Sequence, residues 1–302
     1  MFKKYLNRFS TVSIVGKYIY VNVAVYIIVV FIAVFSLLLN VPSVGVEVAR
    51  YVELPASLPR LLSSPWTLFT YMFLHLDLWH ILWNMLALYA FGKIFLNFYS
   101  VRHFVGTYIL GGLIGGLFFV SAYNLFPYFA PLVGGATLVG ASASVLAVVT
   151  AAATRSPNYR VVLLFFGSVK LSTIAIATVL ISFLMLAGSN AGGNFAHIGG
   201  AFAGWLIAYM LNKGHDITET VNRPLDFLST IFKKRPGQRK KSCFNFVRGE
   251  KSASKRASDY AYNARKKADE VEIDKILEKI KKGGYASLSE TEKKRLFEAS
   301  KK

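Results

Sequence analysis

Four polar residues in an otherwise apolar sequence are of the types that acyl transfer needs. Ser142 sits in Gly140-Ala141-Ser142-Ala143-Ser144, among residues small enough for a second backbone or a substrate to come close. His197 lies in Ala196-His197-Ile198-Gly199-Gly200, and His80 and Asn84 lie one helical turn apart upstream. The set offers a hydroxyl nucleophile, an imidazole base and two side-chain donors for an oxyanion. Taken singly, each has a duller reading. His80 and Asn84 read equally as polar glue between helices, and His197 as a satisfied interior histidine. Ser144 rivals Ser142 by composition, but on a helix it faces about 200° away, and both cannot address His197. A metal reading is weaker. No cysteine and no buried carboxylate joins the histidines, Asp77 being the one acidic residue near the spans, and the spacing of His75 and His80 does not align them on one helical face. No metal and no cofactor is expected.

The elements that position these residues follow from composition. The chain has 302 residues, 54% of them hydrophobic, and a mean hydropathy of +0.44. That excludes an ordinary soluble domain and points to a multispanning membrane protein. Charge is unevenly spread: residues 213–302 hold 24 of the 35 Lys and Arg and 13 of the 16 Asp and Glu. The reading is an apolar membrane part at 20–212 behind a basic N-terminus at 1–19, then a basic flexible linker at 213–268. A small helical hairpin at 269–302 closes the chain. Six apolar spans are expected near 20–39, 78–95, 101–123, 140–154, 171–186 and 194–211. The fifth has room to start earlier, because 161–168 is also apolar. Each span is set against the ~20 residues a helix needs to cross the hydrocarbon, and the fourth is short for it. Gly112 and Gly116, four apart in the third span, let a neighbouring helix approach. The single cysteine, Cys243, excludes an intramolecular disulfide.

The positive-inside rule fixes the expected orientation. Lys3, Lys4, Arg8 and Lys17 place the N-terminus inside. The connections at 92–102 and 155–170 then lie inside and carry Lys93, Arg102, Arg155, Arg160 and Lys170. The connections at 124–139 and 187–193 lie outside and have no Lys or Arg. The fold class is therefore an all-α membrane protein, a six-helix bundle with both termini inside. Spans two, four and six all run from outside to inside. At ~1.5 Å rise per residue, His80, Asn84, Ser142 and His197 fall within roughly 10 Å of the outer boundary. Ionisable residues inside spans are costly, which makes such a set a functional hypothesis.

These residues and their order resemble the rhomboid family of intramembrane serine proteases over about residues 15–212. Gly140-Ala141-Ser142-Ala143 is similar to the family's G-x-S-G nucleophile motif. Ala196-His197-Ile198-Gly199-Gly200 with Gly204 is similar to its A-H-x-x-G-x-x-x-G motif. His75, His80 and Asn84 match its H-x4-H-x3-N. The resemblance implies Ser142 as nucleophile and His197 as general base. His80, Asn84 and the Ser142 backbone N–H would hold the oxyanion, and Gly200 and Gly204 would let spans four and six touch. Three positions depart from the pattern: Ala143 replaces a glycine, Thr67 replaces the arginine after Trp66, and Leu146 replaces an aromatic that stacks beneath the histidine. Arg60 is the candidate substitute for the missing loop anchor.

The function implied is a serine endopeptidase that cleaves transmembrane proteins near the outer face, with Gly188–Gly193 as a gate. The chain is expected to be integral to a bacterial cytoplasmic membrane. Alternatives from other classes are a proteolytically inactive, rhomboid-like binder of membrane clients and a small transporter, though no internal repeat supports the transporter. Lys233-Lys234-Arg235 and Arg239-Lys240-Lys241 suit anionic headgroups of the lipid bilayer rather than nucleic acid. In the hairpin, Ile273, Ile276, Leu277 and Ile280 share a helical face, Gly283-Gly284 ends it, and Ser289-x-x-Glu292 is a capping box before a helix with Leu296 and Phe297. Its partner is unknown.

Overall fold

The computed structural model describes residues 12–163, 167–188, 190–232, 276, 278–280 and 288–293. It forms two units, Met1–Lys234 and Arg235–Lys302.

In the first unit, helix α1 (Ile14–Leu38) starts at Ser13, whose hydroxyl accepts the Gly16 N–H at 3.2 Å. A long connection follows, built from α2 (Pro42–Arg50), strand β1 (Leu54–Pro55), α3 (Leu58–Ser63), α4 (Thr67–Thr70) and a 3-10 turn (Tyr71–Phe73). Then come α5 (Leu78–Leu96), α6 (Val101–Leu125), a 3-10 turn (Pro127–Leu132), β2 (Thr137–Leu138) and α7 (Ser142–Arg155). The hairpin β3 (Arg160–Leu163) and β4 (Gly167–Lys170) leads to α8 (Leu171–Leu184), α9 (Ala191–Asn212) and α10 (Glu219–Phe232).

The core sits where α6, α7 and α9 meet, and small side chains are the reason. Ten of the 14 residues of α7 are buried, which makes it the central helix. A Cβ on Gly115 would stand 2.6 Å from the Ala143 Cβ, and Gly111 is equally crowded by Ala147. Gly112 and Gly116 do not serve a helix contact alone. They face the 54–72 connection, against Met72 and Leu54, and Gly112 also meets the Ser144 hydroxyl. Large apolar side chains of α1, such as Ile27, Phe31 and Leu37, point away from the bundle and are exposed.

The connection between α1 and α5 is pinned by polar bonds. Arg60 donates to the Arg50 carbonyl and to Glu53, both at 3.2 Å. Trp66 Nε1 donates to the Tyr51 carbonyl at 2.8 Å. Thr67 is fully buried and bonds the Ser64 carbonyl at 2.7 Å. Arg60 thus anchors the loop that lacks an arginine at position 67.

Several expectations need correction. The chain is mostly helical but not all-α. β1 pairs antiparallel with β2, Leu54 opposite Leu138, and β3 pairs with β4, Arg160 opposite Lys170. The apolar stretch 161–168 does not extend the fifth helix. Gly167, at φ +65°, allows the hairpin instead. Among the described residues only α1 and α6 have both the length and the apolarity to cross a membrane, while α7 and α8 are apolar but shorter. The linker expected from residue 213 is also corrected, because residues 219–232 are helical. This helix docks on the start of α6. Asn222 Nδ2 donates to the Arg102 carbonyl at 3.0 Å, Arg102 pairs with Asp226 at 2.6 Å, and His103 meets Asp216 at 3.2 Å.

In the second unit, Ser289 and Glu292 form a reciprocal cap, with N–H to carboxylate at 2.7 Å and N–H to hydroxyl at 3.3 Å. Lys279 pairs with the same Glu292 at 2.9 Å. Lys3, Lys4, Arg8, Cys243, the two basic clusters, Ile273, Leu277, Gly283, Gly284, Leu296 and Phe297 lie outside the described residues.

Candidate active site

Ser142 is the first residue of α7, and the turn before it is held at three points. Gly140 has φ +115°, and a Cβ there would stand 2.6 Å from the His80 ring, so both its conformation and its neighbour exclude a side chain. Its N–H donates to the Tyr71 carbonyl at 3.0 Å. The Ala141 N–H donates to His75 Nε2 at 3.3 Å, and the β1–β2 pair fixes the chain just upstream. Ala141, at the cap position, offers no side-chain hydrogen bond. The first N–H groups of α7, that of Ser142 included, therefore have no intrahelical partner and carry the positive end of the helix dipole.

His80 and Asn84 are set by the start of α5. Asp77 caps the helix by accepting the His80 N–H at 2.8 Å. The His80 ring packs edge-on against His75, centroids 5.1 Å apart. Asn84 Nδ2 donates to the His80 carbonyl at 2.9 Å, one turn back in its own helix.

His197 is positioned by glycines and by a serine. Gly200 and Gly204 lie against the Ala143 and Ala147 carbonyls, so closely that any Cβ would overlap them. That contact sets α9 on α7 and carries His197 to the Ser142 end. The ring's Nδ1 lies 3.1 Å from Ser182 Oγ on α8. Asn194 Nδ2 donates to the Met185 carbonyl at 2.8 Å and ties the start of α9 to the end of α8.

Ser142, His197, His80 and Asn84 all line one cavity of about 540 Å³, together with Leu146 and Asn190. Ser144 does not line it. Ser144 is fully buried, with its hydroxyl 3.8 Å from Met72 Sδ. Among the described residues no hydrogen bond joins Ser142 to His197; the histidine's side-chain bond goes to Ser182. No aromatic ring packs on His197 among them, and Leu146 lines the same cavity. No group of three or more His, Cys, Asp or Glu is placed among them to hold a metal ion.

Sequence reasoning missed Ser182, Asn190 and the pinning bond from His75. Ser182 is one hydroxyl in a helix without motif, and only the fold brings it to His197. His75 belonged to a motif, but its fully buried position against the Ala141 N–H carries no sequence signal.

A family model described as the rhomboid domain matches residues 62–214, half of the chain. The chain belongs to the rhomboid family. This rhomboid is therefore a membrane-integral protein. A family of unknown function, DUF6576, matches residues 258–302. Similar proteins include the presenilin-associated rhomboid-like protein, mitochondrial, of Mus musculus, 31% identical over 194 residues, which are 62% of this chain and 47% of the relative. The protein of that name from Homo sapiens is 28% identical over 197 residues, with the same shares covered. The rhomboid chain spans about half the length of the curated relatives it matches.

Proposed function

We propose that the chain is an intramembrane serine endopeptidase that cleaves transmembrane proteins near the outer membrane face with a Ser142–His197 dyad. The observation that supports this best is the single cavity onto which Ser142, His197, His80 and Asn84 open. Ser142 Oγ gives its proton to His197 and attacks the scissile carbonyl carbon. The carbonyl oxygen, now an anion, takes hydrogen bonds from the Ser142 N–H, His80 and Asn84, whose amide has a second N–H besides the one given to the His80 carbonyl. The imidazolium returns its proton to the leaving amine, and water hydrolyses the acyl-enzyme by the reverse sequence.

On this reading α1, α5, α6, α7, α8 and α9 are the six spans, with both termini on the cytoplasmic side, where Lys and Arg of the short connections collect. At 14 residues, α7 is about 21 Å long against a hydrocarbon core of about 30 Å. Its Ser142 end lies below the surface, in a dip that water can fill. The substrate enters beside α5 and α8 and unwinds locally, since an intact helix hides its carbonyls in its own hydrogen bonds. The purified full chain is expected to cleave a model transmembrane substrate, and neither Ser142→Ala nor His197→Ala should do so. Cleavage that persists without His197 contradicts the dyad.

A second reading is a proteolytically inactive binder of membrane clients. The missing Ser142–His197 hydrogen bond favours it. Wild-type protein that captures a transmembrane client without cutting it supports that reading.

A further inference from the structure

Helix α8 supplies nothing to the sequence motifs, yet one of its side chains reaches the base. Leu171, Ala175 and Ser182 are its buried residues and share one face. Ser182 is only 3% exposed, and its Oγ stands 3.1 Å from His197 Nδ1. Two other hydroxyls in apolar helices bond within their own helix. Thr178 donates to the Ile174 carbonyl and Thr154 to the Thr150 carbonyl, both at 2.8 Å. Ser182 bonds across to α9 instead.

A neutral imidazole carries one proton on two nitrogens, and the partner at one nitrogen decides the state of the other. Among the described residues no aromatic ring packs on His197, and position 146, which lines the same cavity, is a leucine. The orientation and tautomer of the His197 ring must come from elsewhere, and Ser182 is the side chain bonded to it.

We propose that Ser182 is a positioning residue for His197. The Nδ1–H donates to Ser182 Oγ, which leaves the Nε2 lone pair to accept the Ser142 proton. A neutral hydroxyl thereby does the orienting job that a carboxylate does in a three-residue triad. The opposite arrangement, with Ser182 donating to Nδ1, would protonate Nε2 and leave no base. The inference rests on the protease reading, because orientation of the base matters only if His197 is one.

The test uses the full chain in detergent micelles, with histidine labelled by nitrogen-15. The His197 signals are assigned by their loss in His197→Gln. In wild type, Nδ1 is expected to be protonated and Nε2 bare. Ser182→Ala should give a mixture of tautomers, and Ser182→Thr, which keeps a hydroxyl, should restore the wild-type state. In cleavage assays, kcat should fall about tenfold in Ser182→Ala, the rate equivalent of one neutral hydrogen bond. KM should stay within about twofold, and Ser182→Thr should recover kcat. Melting temperatures of the variants separate this from misfolding. A His197 tautomer unchanged in Ser182→Ala, or a bare Nδ1 in wild type, overturns the proposal. Wild type that binds substrate without cleaving it counts against the protease reading alone, and the tautomer measurement still decides what Ser182 does.

Discussion

Gly200 lies directly on the backbone of Ala143, with no room for a Cβ between them. Gly204 repeats the contact on Ala147 one turn along. Because Ala143 follows the nucleophile and Gly200 follows the base by three residues, this contact sets the distance across the dyad. Gly200→Ala is expected to cost about 1–3 kcal/mol, the usual range for overpacking, and to lower both melting temperature and cleavage rate. Gly134→Ala, at a position with nothing within 4 Å, should change neither. A Gly200→Ala protein with wild-type stability and rate would show that the helices need not be this close.

Asn84 gives one amide N–H to the His80 carbonyl and lines the cavity with the other available to donate. Asn84→Ala should therefore reduce kcat by about 10²–10³ with little change in KM, as expected of a donor used in the transition state. A change confined to KM would move Asn84 from the oxyanion to substrate binding.

Asp77 caps α5 through the N–H of His80 itself. Asp77→Ala is expected to cost about 1 kcal/mol and to loosen His80, whereas Asp77→Ser should keep most of both. Thermal melts and cleavage rates of the pair read this directly.

Asp216 supplies a pH prediction at the docking of α10. Burial pushes its carboxyl up, but hydrogen bonds from the Thr218 hydroxyl and N–H and the neighbouring His103 outweigh that and hold it below its ordinary value. Arg102, Asp226 and Glu219 are the other charged groups nearby. For a carboxyl whose folded value is depressed, the stabilisation is present above its unfolded value, about 4, and is lost as pH falls through the lower folded value. Proteolytic release of α10 should therefore rise on acidification below about pH 4. Asp216→Asn should release it more readily at neutral pH and flatten that acid dependence. Equal release of both proteins across the range would contradict the assignment.

The candidate residues and the long helices both left a trace in the sequence, for physical reasons. Apolar runs and their charged ends marked the long helices, since burial or lipid exposure imposes composition over many residues. Ser142, His197, His80 and Asn84 stood out because polar groups are rare in such runs. Two-residue strands cannot leave a pattern, so the Leu54–Leu138 pairing was invisible. Gly167 was the one local sign of the 160–170 hairpin, and the apolar residues around it masked the sign. α10 was hidden by its charges, although Val221, Leu225 and Leu228 recur at helical spacing. Ser182 could not be read at all, because its meaning lies in a bond to a different helix.

The most direct measurement is labelling with a fluorophosphonate probe in wild type, Ser142→Ala and Ser144→Ala. Only a hydroxyl activated by a base reacts, and both serines lie in the first turn of α7. Ser142 faces the cavity with His197, while Ser144 is buried against Met72. Label is expected in wild type and in Ser144→Ala and is expected to vanish in Ser142→Ala. Label that survives Ser142→Ala and disappears in Ser144→Ala would contradict the account.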